Sequence, residues 1–191
     1  ELPTQSESLP IAPNAISGTV TDQDGSPIGN AEVAAYHPDR GSKMATSDAQ
    51  GEFTIGELET DKTYRVSAIA LHFNEGVVET EPVGSHDIVL VLEPLSNARG
   101  SVVDAASDSA LTEFEVAYLP VPPDSETDWQ SRSTTNTLKW TRVNDAYGTF
   151  EIADIVSNKS FAIAARAIGF SSGYAMCGPV APGQWVEGIS I

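Results

Sequence analysis

Ser17-Gly18-Thr19-Val20-Thr21-Asp22 returns as Arg99-Gly100-Ser101-Val102-Val103-Asp104, and that return decides the fold. Other positions recur around it. Ala31-Glu32-Val33 aligns with Phe114-Glu115-Val116, and Asp48-x-x-Gly51-x-Phe53-x-Ile55 comes back as Asp145-x-x-Gly148-x-Phe150-x-Ile152. Tyr64-x-Val66-x-Ala68 comes back as Phe161-x-Ile163-x-Ala165. Matched residues stand 82 apart at the two glycines, 83 apart at Val33 and Val116, and 97 apart from Asp48 and Asp145 onward. Leu90 and Leu92 match Ile189 and Ile191 at a separation of 99. Self-similarity of this kind means two copies of one structural unit. The rise from 83 to 97 places 14 additional residues in the second copy, assigned to Pro120–Thr137.

The texture of each copy is β. Short apolar alternations are broken about every 8–12 residues by turn signals, the pattern of an all-β sandwich. Strands are expected near Ile16–Thr21, Ala31–Tyr36, Lys43–Ser47, Glu52–Leu58, Thr63–Ala70, Val77–Thr80 and Asp87–Glu93. No stretch sustains the 3.6-residue period of an amphipathic helix, so helices should be few and short. Asp22-Gln23-Asp24-Gly25-Ser26-Pro27 reads as a turn with Gly25 at positive φ. Asp48 and Asp145 are expected to accept from the backbone two residues on, with Gly51 and Gly148 left-handed. Gly18 and Gly100 sit inside strands, where a missing side chain marks a bulge or a close backbone approach. Residues 1–14, with three prolines and no periodicity, read as an extended tether. The first module is then 15–94 and the second 95–191, joined at Pro94-Leu95-Ser96-Asn97.

Four segments together carry a resemblance: Ile16-Ser-Gly-Thr-Val-Thr-Asp22, Gly25-x-Pro27-Ile28-x-x-Ala31-x-Val33, Thr46-x-Asp48-x-x-Gly51-x-Phe53 and Tyr64-x-Val66. The pattern resembles the carboxypeptidase regulatory-like domain, a prealbumin-like β-sandwich close to the Cna type B surface modules. The second copy resembles it at its start and from Asp145 onward. The resemblance implies two tandem seven-stranded Greek-key sandwiches, prealbumin-like or Ig-like, without catalysis of their own and secreted, periplasmic or at the cell surface. Some Cna type B modules form a Lys–Asn crosslink from a lysine in the first strand. Ile16–Thr21 and Ala98–Asp104 contain no lysine, so that crosslink is not expected.

Charge bounds the partners. The 191 residues carry 27 acids against 10 Lys and Arg, a net charge of −17. Residues 1–94 hold 16 acids and 4 bases (−12), and residues 95–191 hold 11 and 6 (−5). A polyanionic partner, nucleic acid or an anionic membrane surface, would be repelled. No apolar run approaches the roughly 18 residues of a membrane span, so membrane insertion is not expected. Distributed surface acid is the usual protection of sheet edges against pairing. The single cysteine, Cys177, has no basic neighbour in sequence and reads as a buried small apolar residue.

Candidate chemistry is sparse, and no catalytic residues are assigned. His72-Phe-Asn-Glu75 has the HxxE spacing of zinc carboxypeptidases, but in a β pattern residues three apart point to opposite faces. No Gly-x-Ser-x-Gly elbow occurs, and Gly41-Ser42-Lys43 lacks the upstream glycine of a phosphate loop. Asp22-x-Asp24-Gly25 resembles the start of a calcium loop; an EF-hand fails because its twelfth position is Val33. Asp22 and Asp24 sharing calcium with Asp48 is the metal reading carried forward, against plain turns. The inserted loop offers Trp129, Arg132 and Trp140 as a surface for sugar rings or a protein partner. Trp140 within Leu138–Val143 also reads as a strand residue packing its own insertion. The expected function is a non-catalytic spacer or interaction module of a larger protein. The alternatives are a carbohydrate- or peptide-binding module using the Trp129 loop, or the accessory domain of an enzyme whose catalytic part lies elsewhere.

Overall fold

The computed structural model describes residues 13–121 and 138–191. The chain divides into two compact units between Glu93 and Pro94. All regular structure among the described residues is β-strand, seven strands to each unit. The first unit contains β1 (Ile16–Asp22), β2 (Glu32–His37), β3 (Gly41–Thr46), β4 (Glu52–Ile55), β5 (Thr63–Ile69), β6 (Gly76–Pro82) and β7 (Ile88–Leu92). The second contains β8 (Ser96–Ser101), β9 (Glu113–Pro120), β10 (Thr141–Asn144), β11 (Thr149–Ile155), β12 (Phe161–Arg166), β13 (Gly173–Cys177) and β14 (Trp185–Ser190).

Each unit is a sandwich of a three-stranded and a four-stranded sheet, and the strand orders correspond one for one. The first unit has β4-β1-β7 and β3-β2-β5-β6; the second has β11-β8-β14 and β10-β9-β12-β13. First and last strands of each unit run parallel, β1 with β7 and β8 with β14, and every other pairing is antiparallel. Alternation along the strands explains the two cores. In β5 the inward Tyr64, Val66 and Ala68 are buried while Thr63 and Ile69 are exposed. Phe53, Leu90 and Leu92 join them in the first core; Phe114, Phe150, Phe161, Ile163 and Ile189 fill the second.

The two strand glycines mark a close approach. A Cβ on Gly18 would overlap the Ile88 carbonyl of the parallel neighbour, and one on Gly100 the Ile189 carbonyl. These contacts also fix how the copies correspond. Gly18 pairs with Ile88 and Gly100 with Ile189, so Ile189 occupies the place of Ile88. The expected match of Leu90 with Ile189 is therefore corrected by two residues. A shift of two leaves the same face buried, so alternation could not distinguish the registers.

The aspartate turns form as expected. The Gln50 and Glu52 amides donate to Asp48 Oδ1 at 2.9 Å each, and the Tyr147 and Thr149 amides to Asp145 Oδ1 at 3.0 and 2.8 Å. Gly51 and Gly148 have φ of 75° and 68°. Buried polar residues among those described are all serines: Ser17, Ser47, Ser96 and Ser157. Each hydroxyl has a hydrogen-bond partner, such as Ser47 Oγ to the Ile28 carbonyl at 2.8 Å and Ser157 Oγ to the Pro94 carbonyl at 2.8 Å.

One face of the second unit departs from this pattern. β12 is buried at five successive positions, Phe161 to Ala165. Its outward Ala162 and Ala164 form a small cluster with Leu119 and Val121, and Leu138 and Trp140 pack against it. A strand apolar on both faces is one covered on both faces.

Candidate functional site

The tryptophans all lie in the second half of the chain, at 129, 140 and 185. Trp129 and Arg132 lie outside the described residues. Trp140 immediately precedes β10 and is half-buried against the outer side of the four-stranded sheet. It packs where the insertion rejoins the sandwich, and it also carries a charged neighbour. The Arg166 guanidinium lies over its ring, 4.2 Å from the centroid, and Arg166 Nε sits 2.6 Å from Glu115 Oε2. β-Pairing brings these together, since Arg166 stands opposite Glu115, and Glu115 opposite Arg142. Arg142 reaches Glu113 at 3.7 Å. Glu113, Glu115, Arg142, Arg166, Ile168 and Phe170 line an open depression of about 520 Å³.

A second stack of the same composition lies on the other sheet of this unit, and the sequence did not point to it. Arg99 on β8 lies over the Trp185 ring at 5.6 Å, and its Nη2 is 2.6 Å from Glu187 Oε1. Trp185 and Glu187 begin β14, where a register shift between Val186 and Ile189 inserts one extra residue and Gly188 has φ 73°. Such a bulge re-aims a side chain. Arg99 and Glu187 also line an open depression of about 710 Å³. The one available signal was the departure of Arg99 from Ser17 within the matched repeat.

The other candidates do not converge. Asp22 Oδ1 accepts from the Asp24 and Ser26 amides at 2.9 and 2.8 Å, and Asp48 is occupied as described above. No group of three His, Cys, Asp or Glu able to hold a metal occurs among the described residues. Asp22 and Asp48 thus each accept two amides of their own turn at Oδ1, and Asp24 contributes its amide to the Asp22 turn. His72 lies in a turn at φ 67°, and Glu75 is paired with Arg65 at 3.3 Å. The β environment expected for that HxxE is replaced by the β5–β6 turn. Its counterpart, Ala167-Ile168-Gly169-Phe170, closes the β12–β13 turn with Gly169 at φ 86°. Cys177 is buried, and burial pushes its thiol above the usual range.

Ionisable groups with resolved shifts at the turns serve the fold. Asp145 is held below the usual carboxylate range by the Thr149 amide, the Thr149 hydroxyl and the Tyr147 amide. Asp104 is lowered by the Ser107 hydroxyl and the Ala106 amide. Burial raises Tyr118, whose hydroxyl accepts from the Val156 amide at 3.3 Å.

Seven strands in a three-plus-four sandwich, with first and last strands parallel, define a prealbumin-like module. Residues 15–92, nearly the whole first module, match the carboxypeptidase regulatory-like domain, and the second module repeats the strand order of the first. No curated protein matches the chain. Solved structures similar to it include the TIE protein of Bacillus anthracis, at 12% identity and a TM-score of 0.37 over 93% of this chain and 33% of that one. This chain thus spans about a third of that protein's length. A streptococcal ancillary pilin is 12% identical with a TM-score of 0.49, over 91% of this chain and 61% of that one. The shaft pilin SpaA from Lactobacillus rhamnosus GG is 11% identical with a TM-score of 0.38, over 91% and 96%.

Proposed function

We propose that this chain is a non-catalytic, extracytoplasmic pair of β-sandwich modules, part of a larger surface or secreted protein, whose second module is an interaction surface. One observation carries the reading. The first module builds the same seven strands without a tryptophan, while the second adds two Trp–Arg–Glu stacks that the fold does not require. Tryptophan and arginine are the residues that most often dominate binding surfaces. The buried serines and turn aspartates, by contrast, are committed to holding the backbone. The family that the first module matches supports the extracytoplasmic location.

The test pairs antibody labelling of intact source cells with turnover assays of the purified chain on peptide and glycoside substrates. Labelling without permeabilisation and no turnover are expected. Turnover abolished by a single substitution in the chain would overturn the reading.

A further inference from the structure

We propose that the Trp185–Arg99–Glu187 stack binds a neutral saccharide. The inference rests on the interaction-module reading and assigns one site and one ligand class to it.

The two modules provide the comparison. Asp87 (φ 60°) precedes Ile88, and Gly188 (φ 73°) precedes Ile189, so both modules turn left-handed at the residue just before the one that faces the first-strand glycine. The preceding residue is aimed in each case at the residue before the first-strand glycine. In the first module this joins His86 Nδ1 to Ser17 Oγ at 3.2 Å; in the second it joins Glu187 to Arg99 at 2.6 Å. The position of Trp185 is held by Gly84 in the first module. The sandwich therefore dictates the aim of these positions but not their chemistry.

That chemistry suits a sugar ring. Trp185 is 44% exposed, leaving part of its large apolar ring in water. Trp140 differs in being packed into the apolar cluster beside Ala162 and Ala164. An exposed indole offers a flat apolar surface to the C–H face of a pyranose. Guanidinium and carboxylate held together beside it supply donors and acceptors for adjacent hydroxyls. Glu151 stands opposite Arg99 across the β8–β11 pairing, and Arg99 and Glu187, though not Trp185, border a depression to which Ser101, Thr149 and Ser190 add hydroxyls. The charge selects a neutral ligand. One guanidinium stands among two carboxylates on a chain of net charge −17, so a uronic or sialic acid would be repelled.

Calorimetric titration of the full chain with cellohexaose, xylohexaose, maltohexaose and mannohexaose tests this. At least one should bind, with an affinity insensitive to sodium chloride. Trp185→Ala should weaken binding about tenfold or more, a loss typical of truncating a central aromatic anchor. Glu187→Gln should weaken it less, and Trp140→Ala should leave it unchanged. Unfolding midpoints equal to the parent would show that the variants fold. Failure of all four sugars to bind, or equal binding by Trp185→Ala, would overturn the proposal. Salt-sensitive binding of a lysine-rich peptide at Trp185 in their place would also overturn it, while leaving the interaction-module reading intact.

Discussion

Glu187 meets Arg99 at 2.6 Å at the place where His86 meets Ser17 in the first module. One backbone device, a left-handed residue just before the residue that faces the first-strand glycine, aims both pairs. An ion pair this exposed adds little to stability. Its interest lies in what was placed on a fixed scaffold position.

The same first-to-last strand contact yields a stability prediction. A methyl on Gly18 would collide with the Ile88 backbone, which cannot swing aside as a side chain can. Gly18→Ala should destabilise the first module by about 1–3 kcal/mol, the usual cost of overpacking. Urea unfolding followed by circular dichroism measures it, and an unchanged midpoint would contradict the close approach.

Thr80 is a β-branched residue at φ 66°, in β6 beside the register shift between Tyr64 and Val66. Left-handed geometry costs an L-residue about 1–2 kcal/mol, and glycine avoids that cost. Thr80→Gly should therefore raise the unfolding free energy by about 1 kcal/mol after the loss of β propensity. A destabilised variant would mean that Thr80 is not held left-handed.

Acid should weaken the turns. Asp145 is depressed in the folded state by the Thr149 amide and hydroxyl, so its contribution is present above the ordinary carboxylate range and is lost as pH falls through its folded value. Asp145→Asn removes that titration. Its unfolding midpoint should fall less steeply than the parent's between about pH 5 and pH 2, the range in which carboxylates protonate. Parallel pH profiles would contradict the assignment.

Cys177 should resist alkylation. Burial raises its thiol, so the reactive thiolate is scarcer than in an exposed cysteine at the same pH. Iodoacetamide labelling at about pH 8.5, near the free-thiol midpoint, should be slower than for a free thiol and should recover in urea. Labelling at the free-thiol rate in the native protein would contradict the burial.

Much of the fold was legible because β alternation and turn chemistry are local. Asp48 with Gly51, and Asp145 with Gly148, announced their turns four residues at a time, and the seven expected strands of the first module each overlap an observed one. The register of the last strand was not legible, since Ile189 and Ile191 are equivalent under a two-residue period. The second stack was hidden for a related reason. Arg99 and Glu187 are 88 positions apart, and a parallel pairing with a left-handed residue brings them together. Trp140 could be singled out because it borders an insertion, a feature of the linear sequence. The Asp22, Asp24 and Asp48 reading came from spacing alone, which does not tell a calcium ligand from an aspartate accepting its own turn's amides.

The central claim is that the second module acts by binding, through an exposed indole on its three-stranded sheet. The most direct measurement is the indole N–H region of a ¹⁵N–¹H NMR spectrum, where the tryptophans at 129, 140 and 185 each give one signal. Titration with the neutral hexasaccharides should shift the Trp185 signal progressively and saturably. A Trp185 signal that stays fixed throughout, whether or not the others move, would contradict the account.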